Sequence, residues 1–121
     1  MEAFTLKTPA GDIQVARWQP VEATPAGSPI VLLHDSLGCI ALWRDFPALL
    51  AEASGREVIA YDRLGFGHST PYSGTLPPSF VTDEARTTFA DLRERLSLDR
   101  FVLLGHSVGG GMAIEAAGQH P

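Results

Sequence analysis

Five short apolar segments recur along the chain, and each has the length of a β-strand. They cover residues 4–6, 13–18, 30–34, 57–62 and 100–105. The first two flank Ala10-Gly11-Asp12, a sequence typical of a hairpin turn. The last three are uninterrupted apolar runs that end in polar, glycine-rich turns. Such runs are typical of strands that are buried on both faces of a parallel sheet.

Helical patterns alternate with the later strands. Residues 46–54 predict a helix that Asp45 can cap and that Gly55 ends. Apolar side chains recur at helical spacing over about 81–97, which predicts one amphipathic helix. A last helix is predicted after Ser107. The order β-β-β-α-β-α-β-α indicates an α/β fold, in which ligands bind at the carboxyl ends of the parallel strands.

Composition and charge limit the number of domains, the partners that the protein can bind and its location. The 121 residues have room for one domain, 1–121, and 45% of them are apolar. A formal net charge of -5 argues against nucleic acid and anionic membranes as partners, because both attract basic surfaces. Neither a signal peptide nor an apolar run long enough to span a membrane is evident. Cys39 is the only cysteine, which excludes an internal disulfide and favours a reducing compartment, so we expect a cytoplasmic location.

The strongest chemical signal is the pentapeptide from Gly105 to Gly109, which reads Gly-His-Ser-Val-Gly. G-x-S-x-G between an apolar strand and a helix is typical of a nucleophile elbow, a sharp turn that exposes the serine. A Cβ at either glycine is expected to collide with the neighbouring strand or helix. The N–H of Val108, at the start of the helix, is then suited to bind an oxyanion. Glycines that only allow tight helix packing are the alternative, but they do not explain a polar serine at the strand's end.

Three longer motifs carry a resemblance to a known family. LLHDSLG (32–38), YDRLGFGHS (61–69) and GHSVGGGMA (105–113) stand in the order and at the spacing of the α/β-hydrolase fold. The chain resembles the N-terminal half of such a protein, through the nucleophile elbow. The resemblance implies a mostly parallel sheet with strand order 1-2-4-3-5 and flanking helices. It also implies that Ser107 is the nucleophile.

The resemblance assigns further roles around Ser107. It implies that Ser36 donates the second oxyanion N–H and that His34 supports the oxyanion loop. His106 and the two elbow glycines complete the predicted support of the site. Asp35 stands where the family favours glycine, and we expect its side chain to hydrogen-bond its own loop as an Asx-turn.

The remaining polar and aromatic residues near these motifs have simpler interpretations. Asp62 and Arg63 are expected to fix the loop that follows their strand rather than to act on substrate. Trp43 is interpreted as core or pocket wall, and Cys39 as a bystander near the site. No His, Cys or Asp cluster has the spacing of metal ligands, and no dinucleotide-binding or P-loop motif is present, so no metal or cofactor is expected.

The other members of a catalytic triad are not found after Ser107. In this fold the acid and the histidine follow the serine, yet only Glu115 and His120 do so here. His120 would lie roughly 20 Å from Ser107 along a helix. The resemblance places the true acid and base beyond Pro121, so the chain alone is expected to be inactive.

Two functions follow from the sequence. The first is a serine hydrolase of small-molecule esters or related acyl bonds, completed by an acid and a histidine outside this chain. The second is a non-catalytic fragment that acts, if at all, by binding or assembly. In the absence of a further strand, residues 100–105 would form an exposed apolar edge that invites self-association or complementation.

Overall fold

The computed structural model describes residues 1–21, 27–72 and 74–120. The strands within these ranges are β1 (Glu2–Thr8), β2 (Gly11–Trp18), β3 (Ile30–Leu33), β4 (Val58–Tyr61) and β5 (Val102–Gly105). The α-helices are α1 (Phe46–Ser54), α2 (Phe80–Arg86), α3 (Thr88–Arg95) and α4 (Val108–Gln119). A short 3-10 helix, Ile40–Trp43, precedes α1. None of the described helices has the length and apolarity that a membrane crossing requires.

The sheet has the order β1-β2-β4-β3-β5, which confirms the order implied by the resemblance. β1 and β2 form an antiparallel hairpin, and β2 pairs antiparallel with β4. β3 lies between β4 and β5 and is parallel to both. In the β3–β5 register, Leu33 is opposite Gly105, so the two strands end at the same level. The loops that carry His34 and Ser107 therefore leave the sheet side by side.

Side chains on β3 and β4 alternate between two cores, one on each face of the sheet. Val31, Leu33 and Ile59 pack with Phe89 and Met112 under the helices α2, α3 and α4. The residues between them along the strands, including Leu32 and Ala60, pack on the opposite face with Ala51 of α1. Burial on both faces is the physical reason for the uninterrupted apolar runs in the sequence. Each fully buried leucine or valine contributes about 2 kcal/mol of transfer free energy.

The helix predicted over 81–97 is interrupted. α2 ends at Arg86, and Thr87 adopts φ -110° and ψ -96° before α3 begins. The Thr87 hydroxyl donates to the carbonyl of Asp83 at 2.9 Å. Side-chain hydrogen bonds of this kind offer the backbone an alternative to continuous helix. The apolar spacing survives the break, because Phe89 and Leu92 still face the core.

The prediction of three doubly buried strands is correct for β3 and β4 and wrong for β5. All residues of β3 and β4 are buried, whereas Val102 of β5 is 44% exposed. β5 pairs with β3 along one edge only, and no described strand covers the other edge. An apolar run in the sequence cannot distinguish a central strand from an edge strand, because both carry the same residue types.

Candidate active site

Ser107 lies at the junction between β5 and α4, in the turn where the sequence predicts a nucleophile elbow. Its backbone has φ 58° and ψ -119°, a conformation that L-residues rarely adopt. Strain of this kind at a non-glycine residue persists only where the surrounding fold enforces it, and it is concentrated at functional sites. The serine is exposed, so its hydroxyl is accessible above the carboxyl ends of the strands.

The two elbow glycines are required by close backbone contacts. A Cβ on Gly105 would overlap the carbonyl of Gly109, in the first turn of α4. A Cβ on Gly109 would overlap the carbonyl of Leu33, at the end of β3. These overlaps agree with the steric prediction. Gly105 allows β5 to lie close to α4, and Gly109 allows α4 to lie close to β3. The N–H of His106 adds a hydrogen bond to the Leu33 carbonyl at 3.1 Å.

His34 ends β3 and is buried, with both ring nitrogens engaged. Its Nδ1–H donates to the carbonyl of Asp35 at 2.8 Å, and its Nε2 accepts from the backbone N–H of Arg63 at 3.1 Å. Burial, followed by the charge of Arg63, lowers the pKa of His34 below its usual value of 6.5. A neutral imidazole with no unoccupied nitrogen suits a structural support and not a general base.

Arg63 holds the backbone of the loop that follows β3. Its guanidinium is buried and donates to the carbonyls of His34 and Asp35 at 2.5 and 2.9 Å. The same group lies over the ring of Phe66, 4.8 Å from its centre. The planar fork of arginine allows one side chain to bind two neighbouring carbonyls. Arg63 thus fixes a loop, but it is the loop after β3 and not the predicted loop that follows its own strand.

Asp62 fixes two further loops through its buried carboxylate. Oδ1 accepts from the N–H of Ile40 at 2.6 Å, and Oδ2 accepts from the N–H of His68 at 2.9 Å. A Cβ on Gly67 would overlap this carboxylate, so the loop passes directly over it. The predicted role of Asp62 therefore also agrees with the structure.

Asp35 connects the loop to the elbow. It does not adopt a positive φ, so this position does not require glycine. Among the described residues, its carboxylate makes no hydrogen bond to its own loop, which instead closes through the Gly38 N–H and the Asp35 carbonyl at 3.2 Å. The carboxylate lies 3.6 Å from Nδ1 of His106, next to Ser107 in the chain. The expected Asx-turn is replaced by this contact between the two loops.

Two backbone N–H groups, one in the loop after β3 and one directly after Ser107, bear on the predicted oxyanion hole. In the part of the chain that the structure describes, neither Ser36 nor Val108 donates its N–H to another residue. Val108 is the first residue of α4, where the helix dipole favours negative charge. These are the two donors that the sequence assigns to an oxyanion hole.

A cavity of about 110 Å³ separates the loop after β3 from the elbow. Cys39, Trp43 and His106 contribute to its wall. Trp43 stacks on Phe46 with ring centres 5.7 Å apart, and its Nε1–H is buried without a partner among the described residues. Trp43 thus forms pocket wall, one of its two predicted roles. Cys39 is partly buried and lines the same cavity.

His120 is bound at the far end of α4 from Ser107. Its Nδ1 accepts from Arg93 Nη1 at 3.1 Å, and its Nε2–H donates to the carbonyl of Ala85 at 2.9 Å. Both ring nitrogens are therefore committed away from the elbow. Residues 1–21, 27–72 and 74–120 contain no group of three His, Cys, Asp or Glu side chains placed to hold a metal ion.

Sequence reasoning missed two polar contacts. The Asp35–His106 contact joins residues far apart in sequence, and only the shared level of β3 and β5 brings them together. The buried hydroxyl of Tyr61 donates to Glu84 Oε2 at 2.8 Å. The polar tip of Tyr61 in an otherwise apolar strand was the available signal, since a buried tyrosine hydroxyl usually finds a partner.

Comparison with known proteins identifies the fold's relatives. A proline iminopeptidase from Clostridioides difficile (strain 630) is 39% identical over 93 residues, which cover 77% of this chain and 31% of that protein. A 2-hydroxymuconate semialdehyde hydrolase from Pseudomonas sp. (strain CF600) is 33% identical over 98 residues, covering 79% and 33%. The chain spans about a third of the length of the curated relatives it matches.

The three-dimensional comparison gives the same family. The crystal structure of the Mycobacterium smegmatis proline iminopeptidase superposes with a TM-score of 0.82 at 29% identity, covering 99% of this chain and 40% of that one. The family pattern described as the alpha/beta hydrolase fold matches residues 28–121, from the loop before β3 through α4. The chain therefore belongs to the α/β-hydrolase-fold family.

Proposed function

We propose that this chain carries the nucleophile and the oxyanion hole of a serine hydrolase. The observation that carries the proposal is Ser107 at positive φ between β5 and α4, followed directly by the N–H of Val108, which has no acceptor among the described residues. The N–H of Ser36, in the loop after β3, likewise has no described acceptor. A hydroxyl and amide donors supply the nucleophile and the oxyanion stabilisation of acyl transfer, which also needs a base. Hydrolases among the relatives support the general reaction class.

The proposed reaction is ordinary acyl transfer through a covalent intermediate. Ser107 Oγ attacks the acyl carbonyl while a histidine takes its proton, and the carbonyl oxygen becomes an oxyanion that the N–H groups of Ser36 and Val108 stabilise. The leaving group departs with that proton. Water then attacks the acyl-serine, and Ser107 recovers its proton as the acid product leaves.

The histidine of this reaction, and the acid that orients it, are proposed to come from outside the 121 residues. His34 and His120 have both ring nitrogens engaged, His106 lies against Asp35, and His68 is exposed in the loop after β4. A serine without a base is a weak nucleophile, so the chain by itself is expected to turn over substrate poorly.

Small-molecule esters are the proposed substrate class, although amides, lactones and other acyl bonds use the same machinery. The named relatives themselves differ in substrate, since one is an iminopeptidase and another a semialdehyde hydrolase. We also propose a cytoplasmic location, because the single cysteine of the chain cannot form an internal disulfide and so favours a reducing compartment.

Assembly without catalysis is the second candidate. Val102 is 44% exposed on β5, and no described strand pairs with the outer edge of that strand. Unpaired apolar edges tend to bind another strand, so we propose that this edge pairs with a second copy or with a further hydrolase segment. Size-exclusion chromatography of the 121-residue chain at high concentration is expected to show dimers or larger species. A monomer at all concentrations would remove the support for this candidate.

Reaction with a fluorophosphonate probe, read by intact mass, tests the catalytic proposal. The natively produced protein is expected to gain one adduct, and Ser107→Ala is expected to gain none. Ser28→Ala is the matched control, because Ser28 lies before β3, at the opposite end of that strand from the elbow, and this variant should label like the wild type. If the native protein gains no adduct, or if Ser107→Ala labels as well as the wild type, Ser107 is not an activated nucleophile.

A further inference from the structure

A second cavity, of about 260 Å³, lies under the loop that follows β4. Its walls come from that loop, α2, α3 and α4, and its lining shares no residue with the cavity beside His106. The volume is just below the roughly 300 Å³ at which pockets for drug-sized ligands begin, so it suits a smaller molecule.

Most of this cavity wall is apolar or aromatic. Phe66, Phe80 and Met112 line its interior, while Tyr72 and Leu76 are 41% and 38% exposed and lie at its rim. Burial of an apolar body among such side chains is favourable at about 25 cal/mol per Å² of area removed from water. The cavity is therefore suited to a single ring or a short branched chain.

Two polar groups of the wall are not used by the fold. Thr88 is only 4% exposed and lines the cavity, yet its hydroxyl makes no hydrogen bond to another described residue. Glu84 uses Oε2 to accept from Tyr61, and its Oε1 has no hydrogen-bond donor in the described ranges. Neither atom is sealed from solvent, because Trp43 Nε1 is the one fully buried side-chain nitrogen or oxygen without a partner among the described residues, so both acceptors are open to a ligand with several donors.

The charges around the cavity favour a cation. Asp83 and Glu84 both line it, and neither forms an ion pair with a described basic residue. Arg63 also lines it and remains charged while it donates to the carbonyls of His34 and Asp35, so the wall carries two carboxyl groups against one guanidinium. Burial raises the pKa of Glu84, and a bound ammonium would oppose that shift by favouring the carboxylate.

We propose that this cavity binds a small primary amine, with its ammonium on Glu84 and Thr88 and its apolar body among Phe66, Phe80 and Met112. The three N–H donors of an ammonium match the two unused acceptors of the wall. The cavity is not needed for the reaction proposed at Ser107, so its ligand binding can be tested without any measurement of activity.

Calorimetric titration with benzylamine tests the proposal, with benzyl alcohol and benzoate as probes of the same size and different charge. Benzylamine is expected to bind with a Kd of about 1 mM or below, and the other two at least about tenfold more weakly. Glu84→Gln retains an acceptor for Tyr61 and is expected to weaken benzylamine at least about tenfold, whereas Thr88→Val is expected to weaken it about threefold to tenfold. Glu94→Gln, an exposed carboxylate outside this cavity, is the matched control and should leave binding unchanged.

Amide chemical shifts of the unaltered chain provide a test that does not depend on variant stability. Benzylamine is expected to shift the backbone signals of Glu84, Thr88 and Met112 at the concentrations that the calorimetry gives. The proposal is overturned if no benzylamine binds, if the shifts fall elsewhere, if benzyl alcohol binds equally well, or if Glu84→Gln binds benzylamine as tightly as the wild type.

Discussion

The two turns that meet at Ser107 are held in place by opposite means. The elbow from Gly105 to Gly109 depends on missing side chains, because a Cβ at either glycine would overlap a backbone carbonyl. The loop after β3 depends on side chains that are present, since the Arg63 guanidinium and the His34 ring donate hydrogen bonds to its carbonyls. Steric contact fixes the nucleophile, and hydrogen bonds fix the loop that is proposed to supply Ser36.

This difference has a consequence for how each turn tolerates change. A backbone-to-backbone contact has no flexible atom that can move aside, so a single added methyl must displace the strand or the helix. A side-chain network loses one partner at a time, and the remaining bonds still hold part of the loop. We therefore expect a single substitution to disrupt the elbow, whereas the loop after β3 should lose stability in steps as its hydrogen bonds are removed.

The largest effect is expected from Gly109→Ala. Its methyl would meet the Leu33 carbonyl, so the free energy of unfolding should fall by about 3 kcal/mol or more, as in an overpacked core. Gly110→Ala is the matched control, because its Cβ would approach the nearest other atom, the Gly105 carbonyl oxygen, at an ordinary 3.6 Å. The control should stabilise the helix by up to about 1 kcal/mol. Urea unfolding of the two variants measures both, and equal midpoints would contradict a steric origin of the elbow.

A smaller loss is expected from Arg63→Met. The substitution retains much of the side-chain volume and leaves the carbonyls of His34 and Asp35 without their donor, which should cost about 2 kcal/mol. Arg63→Lys should recover only part of this loss, since a single ammonium cannot reproduce the fork. The amide of Gly38, which closes the same loop, should exchange with solvent faster in Arg63→Met.

Arg86→Met, on the exposed face of α2, is the control for that variant and should change neither quantity. Unaltered Gly38 exchange in Arg63→Met would mean that the loop is held by something other than the guanidinium. The contrast between a sterically fixed elbow and a loop fixed by hydrogen bonds would then no longer hold.

The smallest effect is expected from Asp35→Asn, which weakens the contact between the turns. Both side chains are partly exposed, at 66% for His106 and 36% for Asp35, so water and salt screen the pair. The free energy of unfolding should fall by no more than about 0.5 kcal/mol, and less in 1 M salt. Asp99→Asn, an exposed carboxylate, is the reference. A loss of free energy of unfolding as large as that of Arg63→Met would show that the Asp35–His106 contact couples the two turns strongly.

Much of this organisation was predictable from the order of residues alone. The burial of β3 and β4 on both faces, the helix that ends at Gly55 with φ 68°, and the strained serine between two glycines all follow from local chemistry. So does the role of Asp62, because a charged residue directly after a buried strand needs partners in the loops around it. Arg63 also holds a loop, but the sequence did not show that it is the loop after β3. The strand order came from the resemblance to the family and not from periodicity.

Contacts between residues that are far apart in sequence were determined only by the tertiary structure. The sequence does not show that Asp35 lies against His106, that the Thr88 hydroxyl lines a cavity without a protein partner, or that β5 is an edge strand. Each of these depends on which strands end at the same level and on which neighbours a strand has. The break at Thr87 was equally hidden, since the apolar spacing continues through it. Local chemistry fixes what a residue can do, and the packing of distant segments determines which other residues it can reach.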